Sequence, residues 1–489
     1  MRPPDNCRLP HLLGYALGES ANSLVTNGLI AFGLLCYTNA LGLSPAMAGA
    51  ALAVSIFVEV LTQPLVGYVS DNTRSRWGRR HPFVMVGGLL MAVGFYFAWA
   101  VPAPFHNRPN ALFGYLVGLH VGLRLSQNVF YIPYLALGYE MTRDDRQRAV
   151  LQSLRQVFNM AANLAGPAMA WTFFFRNQGG ERGTGILENY VRMGGVFSGA
   201  IAIFILVMVV TTWNWGNDSR AQSSPYDGKW GRTFLRDIRP VFFGRNSRQV
   251  LVFLFMFTMA MVVMSSLQLY FYEHCLRLSG GQKTLAHGST MVFFAMGALV
   301  APGLSVRLDK RRTVWAGGLV SIGCNLLLAT LFLSHLVPEG ALMTLGTLEI
   351  SVPLAVFVPL HAGFWLGAGI VLPVVNAMMA DVSEIHRLAG GVNRDGSHAA
   401  AFSLAMQLAV SFGITISGLL ITMIGFVAGP VGQGLEVIWR LAAAAFLAAP
   451  AMILLSLLTL KKYRVTHELI EARRVAARSA GLSGTGEEG

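Results

Sequence analysis

The chain has 489 residues, of which 54% are hydrophobic and only 12% charged, with a mean hydropathy of +0.53 and a formal net charge of +13. A soluble domain carries about 25% charged residues, so a water-facing globule is excluded, and this hydrophobicity excludes a disordered chain. Four dispersed cysteines (Cys7, Cys36, Cys275, Cys324) form no CxxC or metal-ligand spacing, which removes a disulfide scaffold and a structural metal site. The composition is that of an all-α polytopic membrane protein.

Twelve apolar runs predict transmembrane helices over 11–39, 46–70, 82–102, 111–138, 148–174, 193–214, 249–275, 286–307, 313–334, 354–380, 399–427 and 437–459. Each is too long and too continuous for a strand, and a barrel would alternate. The first ten residues, MRPPDNCRLP, precede an apolar stretch too long for a cleaved signal and lacking an A-x-A site. The longest polar connection, 215–248, carries seven basic residues and divides the chain into a six-helix half (1–214) and a second six-helix half (249–460), with a tail over 461–489. Lys and Arg number twenty-eight on the side of the N-terminus against seven on the other. That asymmetry predicts a multi-pass protein of the cell membrane with both termini cytoplasmic. The positive charge is thus topological, aided by anionic headgroups of the lipid bilayer, and nucleic acid is not an expected partner. A six-plus-six plan is one that secondary transporters use, with solute bound between the halves. No GxxxxGK[ST] loop, HExxH or GxSxG occurs, so neither ATP-driven pumping nor an enzyme is expected, and no cofactor.

A charge within a span costs about 2.5–3.5 kcal/mol and normally faces a cavity or a partner. Away from the cytoplasmic helix ends the sequence offers Glu19, Glu59, Arg124 and Arg155, two acids and two bases, all in the first half. Asn22 and Ser23 follow Glu19 at helical spacing, Gln63 follows Glu59, Asn128 and Tyr131 follow Arg124, and Asn159 and Asn163 follow Arg155. Each set shares one helix face. The four stripes either converge on a wet cavity or supply interhelical hydrogen bonds. The second half offers Trp365, either a platform for a sugar ring or a bilayer-interface tryptophan, and Gln407 with Ser403 and Ser411. His361 and His120 read as structural histidines. Near the cytoplasmic loops, Asp71, Arg79, Arg80, Glu140 and Arg148 are candidates for an ion-pair network closing the inner side. Asp309, Arg311, Arg312 and Asp381 would mirror it in the second half.

Four stretches carry a resemblance: YTNALGLSPAMAG, QPLVGYVSDNTRSRWGRRHPF, IPYLALGYEMTRDDRQRAVLQSLRQVF and MMADVSEIHRLAGGVNRDGSHAAAFS. Together they resemble the glycoside–pentoside–hexuronide:cation symporters, the melibiose-permease relatives within the major facilitator superfamily. The resemblance implies alternating access and ion-coupled uptake of a small sugar-like solute with a co-transported cation, H+ or Na+, by a protein expected to be a monomer. In those relatives helix 2 presents two acids one turn apart before Pro-x-x-Gly. Here Glu59 matches the first and Gln63 stands at the second. Tyr131 replaces the helix 4 acid, Ser23 aligns with the sugar-binding acid of helix 1, Gln407 replaces the helix 11 lysine, and Arg155 is kept. One carboxylate is a poor sodium cage. A lone buried carboxylate suits a proton better, because burial disfavours the charged form. The resemblance therefore favours a proton, with Glu59 as its carrier and Glu19 as the second candidate. A lipid-like substrate, an uncoupled facilitator and a nontransporting sensor remain alternatives.

Overall fold

The computed structural model describes residues 8–73, 75, 77–141, 145–176, 182–215, 241–242, 244–338, 342–345, 348–388, 395–429, 432–463, 465, 469, 471–473 and 475. Twelve long helices follow in chain order: α1 (Leu9–Gly28), α2 (Pro45–Asn72), α3 (His81–Trp99), α4 (Pro109–Met141), α5 (Asp145–Met169), α6 (Leu187–Thr212), α7 (Arg245–Tyr270), α8 (Gly280–Leu308), α9 (Lys310–Leu333), α10 (Val352–Leu388), α11 (Asp395–Met423) and α12 (Leu435–Thr459). Each overlaps one predicted span, and α2, α4, α8, α10 and α12 contain theirs whole. Several run past the apolar core, α10 by eight residues beyond 380, because helical hydrogen bonding continues where the side chains turn polar. α1, α5 and α7 end in wide turns bonded five residues apart, over Leu29–Gly33 and Cys36–Ala40, Ala170–Phe174, and Phe271–Cys275. Most of the linker 215–248 lies outside the described residues.

The sequence did not suggest the short hairpin between α9 and α10. Strands β1 (Leu342–Leu345) and β2 (Leu348–Ser351) pair antiparallel, with Leu345 opposite Leu348.

Two compact units emerge. Unit 1 holds 1–225 together with 272–284 and 414–437, and unit 2 holds 226–271, 285–413 and 438–489. In unit 1, α1 packs on α5 and α6, α3 on α4 and α6, and α2 on α4. In unit 2, α9 packs on α10 and α10 on α7. Glycines set the closeness of the α8–α10 and α9–α10 contacts. A Cβ at Gly297 would stand 2.2 Å from the Leu366 carbonyl oxygen, and one at Gly367 would stand 2.4 Å from that of Gly317. Small residues at such crossings let backbones touch where apolar burial gives no drive in lipid.

Nine described helices contain an apolar stretch long enough to cross a bilayer. The three that fall outside this set are α1, α4 and α5. Their lower apolarity has a structural cause: they turn their polar faces towards one another and towards α2.

Candidate functional site

Within unit 1, α1 presents Glu19 to α5. The carboxylate is 5% exposed, and its Oε2 accepts from Arg155 Nε at 2.9 Å and Nη2 at 2.6 Å. Its Oε1 accepts from Tyr131 Oη and from Asn159 Nδ2, each at 3.4 Å. Arg155 is oriented by Gln152, whose Oε1 accepts from Nη1 at 2.7 Å, and its guanidinium stands 5.4 Å from the centre of the Tyr134 ring. Ser23 Oγ donates to the Asn159 carbonyl at 3.1 Å and accepts from Asn27 at 2.8 Å, tying α1 to α5 below the pair.

A second pair lies on α2 and α4. Glu59 Oε2 is 3.2 Å from Arg124 Nη1. Asn128 fixes the backbone beside it, donating to the Glu59 carbonyl at 2.7 Å and to Thr62 Oγ1 at 2.9 Å. Gln127 then joins this pair to α1. Its Oε1 accepts from Arg124 at 3.0 Å while its Nε2 donates to Asn22 Oδ1 at 2.6 Å and Thr26 Oγ1 at 2.8 Å. On α4 the order Arg124, Gln127, Asn128, Tyr131 is a single face, and on α1 so is Glu19, Asn22, Thr26. The two ion pairs are therefore the ends of one polar ladder between antiparallel helices, about 10 Å apart at 1.5 Å per residue.

The structure thus brings Glu19, Asn22, Ser23, Glu59, Arg124, Asn128, Tyr131, Arg155 and Asn159 together; Gln63, one turn beyond Glu59, is half-buried. Gln127, absent from the sequence-derived set, was legible as the i+3 neighbour of Arg124. Trp365 and Gln407 belong to unit 2. Trp365 is 6% exposed and donates to Gln268 at 3.2 Å, so it is not a bilayer-interface tryptophan. Gln407 donates to Ser403 at 3.1 Å. His361 and His120 are hydrogen-bonded, to Gln268 at 2.7 Å and to Tyr37 at 2.8 Å.

The buried charge is not confined to the first half, as the sequence reading had it. Glu273, in the turn that ends α7, forms an ion pair with Lys283 of α8, their side chains 3% and 8% exposed. Lys283 Nζ stands 4.5 Å from the Trp171 ring centre, and Arg182 donates to the Glu273 carbonyl at 2.7 Å. All four residues lie in unit 1. They escaped notice because each sits at a helix end or in a loop, where charge is ordinary.

Of the proposed inner network, the side chains of Asp71, Glu140 and Arg148 lie outside the described residues. Arg80 is buried and donates to Ser70 at 3.0 Å, while Arg79 is half-buried. In the second half Asp381 is held by Lys310, a residue outside the expected group, with contacts of 2.7 and 2.6 Å. Asp309 opens α9 with φ 72°, and this left-handed turn starts the helix immediately after α8 ends. Arg311 donates to the Tyr463 carbonyl at 3.5 Å, and Arg312 is exposed. Burial, with Asp381 and Asp309 nearby, pushes the Tyr463 phenol well above its usual range.

Apolar helices enclosing paired charges define a multi-pass membrane transporter, and the comparisons agree. The chain belongs to the family described as MFS/sugar transport protein, which matches residues 14–467. It is 24% identical to the inner membrane symporter YicJ of Escherichia coli over 473 residues, covering 94% of this chain and 92% of that one. It is 23% identical to a glucuronide carrier protein homolog of Escherichia coli, covering 93% and 92%. An uncharacterized symporter of Synechocystis is 32% identical, but over 156 residues only, 31% of this chain and 28% of that protein. The fold is shared with a bacterial homolog of the human lysosomal transporter Spinster, at TM-score 0.62 and 13% identity, covering 98% of both chains. The protein is a transporter of the major facilitator superfamily, not an enzyme.

Proposed function

We propose that this protein is a symporter that carries a sugar-like, hydroxyl-rich solute together with a proton by alternating access. The observation that carries the proposal is the ladder of two carboxylate–arginine pairs, each with one buried partner (Glu19 and Arg124), joined through Gln127. A solute hydroxyl can replace any rung of it, since Tyr131, Asn22, Asn159 and Gln152 offer neutral donors and acceptors around each charge. Names among the relatives support this reading: an inner membrane symporter supports symport, and a glucuronide carrier homolog supports the class of cargo. Glu59 takes the proton: when Arg124 turns to the solute, the carboxylate loses its counter-charge and is neutralised instead. Glu19, with the two-pronged grip of Arg155, orients the guanidinium. The two six-helix halves, 1–214 and 249–460, rock about the basic linker 215–248, with both termini cytoplasmic. Asp71, Arg79, Arg80, Glu140 and Arg148, with Asp309, Arg312 and the Lys310–Asp381 pair, close the inner side.

The test is uptake into proteoliposomes of a labelled panel of pentosides, hexosides and hexuronides, under an imposed pH gradient or sodium gradient. Accumulation should follow the pH gradient and ignore sodium. Glu59→Gln should abolish accumulation and leave downhill exchange. Sodium-driven uptake that survives collapse of the pH gradient would overturn the proton assignment. Equal accumulation by Glu59→Gln would transfer the role to Glu19.

A further inference from the structure

Unit 2 contains a polar cluster that the ladder does not use. On α7, Gln268 is 1% exposed, and its Oε1 accepts from Trp365 Nε1 at 3.2 Å and bonds His361 Nε2 at 2.7 Å, both from α10. Phe357 and Phe364 flank His361, with ring centres at 4.8 and 6.4 Å. From α8, His287 enters the same region. It lies two turns before Phe294, whose ring centre is 6.3 Å from that of Trp365, and on the same helix face. It is within electrostatic reach of His361.

His287 differs from the other buried histidines in one respect. His120 bonds Tyr37, His361 bonds Gln268, and His398 bonds Ser383 and His386. His287 is 7% exposed, and neither ring nitrogen has a partner among the described residues. A neutral imidazole carries one N–H and one lone pair, and burial makes both expensive to leave unmade. Folding alone would favour an apolar side chain at this place. One donor and one acceptor with no net charge match the hydroxyl of a neutral polyol: its O–H meets the lone pair and its oxygen meets the N–H.

We propose that His287, backed by Gln268, His361 and Trp365, is a solute-hydroxyl subsite within unit 2. The proposal rests on the reading of the cargo as a sugar-like solute and adds a specificity-determining residue to it. Gln268 is the positioning residue, because it holds the His361 ring and the Trp365 indole through a single oxygen.

His287→Leu separates binding from structure. If the imidazole serves the solute, the variant should keep or raise the apparent melting temperature while KM rises about 3- to 10-fold, the worth of one hydrogen-bonding pair, with kcat little changed. His287→Gln, which can still donate and accept, should restore KM to within about 3-fold. The probes are methyl β-D-glucopyranoside, methyl β-D-xyloside and methyl β-D-glucuronide. As a readout independent of transport, diethyl pyrocarbonate should modify His287 in the purified wild-type protein, and the transported glycoside should protect it. Wild-type uptake with unchanged KM in His287→Leu, or a His287 that the reagent never reaches, would overturn the subsite and leave the proposed function standing. No wild-type uptake of any probe, and no protection, would overturn both.

Discussion

The Glu19–Arg155 pair allows a quantitative test of how the buried charges work. Arg155→Met removes the guanidinium and leaves a carboxylate that is 5% exposed, with only Tyr131 and Asn159 at 3.4 Å to hold it. Stripping one partner from a buried pair costs about 3–5 kcal/mol, because the survivor stays desolvated and uncompensated. Glu19→Gln leaves Arg155 with Gln152 and the Tyr134 face, and lies at the lower end of that range. In the double variant no charge is stranded, and methionine fills the volume of the guanidinium stem. Its stability should fall within about 1 kcal/mol of wild type. The cycle therefore predicts a coupling energy of at least about 5 kcal/mol, visible as a double variant that melts above either single in detergent. All three variants should lose concentrative uptake. A double variant that melts below both singles, by the sum of their losses, would refute the assignment of mutual compensation. A stable double variant that still accumulates solute would reduce the pair to a structural strut.

Three further outcomes are expected. Gln127→Leu cuts the rungs to Asn22 and Thr26 while keeping bulk, so proteoliposome uptake should show KM raised about tenfold with the fold intact; unchanged kinetics would leave Gln127 a packing residue. Glu273→Gln or Lys283→Met alone should each cut turnover about tenfold or more by stranding a charge, and the swapped pair Glu273→Lys with Lys283→Glu should recover part of it; no recovery would assign the loss to another contact of these side chains. A single cysteine in place of His335 should react with an impermeant thiol reagent from outside and one in place of Arg245 should not, the native cysteines having been removed; the reverse pattern would invert the topology.

The helices were legible because lipid imposes a single rule: twenty or so apolar residues, every backbone group satisfied within the segment. Their ends were less so, since nothing in the hydropathy marks where α10 continues from 380 to 388 into polar sequence. Glu19, Glu59, Arg124 and Arg155 could be singled out by the cost of burying charge. Which acid meets which base could not, because that depends on the α1–α5 and α2–α4 contacts. Glu273–Lys283 was invisible for the opposite reason. Charge at a helix end carries no penalty in sequence, and only the packing of Trp171 and Arg182 around it makes it buried. Lys310, the partner of Asp381, stood outside the expected group because a run of three basic residues does not announce which of them meets the acid.

Charge balance carries the argument about the coupling ion furthest. The ladder sets two carboxylates against two guanidinium groups, so their formal charges balance. A sodium ion would add a positive charge to a site whose acids are already engaged, and would have to displace a guanidinium from Glu59 to find its oxygen ligands. A proton needs no cage. It adds to one carboxylate oxygen and frees one arginine, and the released guanidinium then offers its donors to solute hydroxyls at the same moment. In the proposed scheme, loading of proton and solute would be one event, linked through the rung in which Arg124 donates to Gln127 and Gln127 to Asn22. On this reasoning Gln127→Glu, which adds an acid beside Arg124, should weaken the link between proton and solute by giving the freed guanidinium a permanent partner. The ratio of protons to solute carried, measured from paired pH-dye and isotope fluxes, should then fall below that of wild type. A ratio unchanged in a variant that still transports would show that Arg124 does not move between Glu59 and the solute, and the coupling scheme would fail with it.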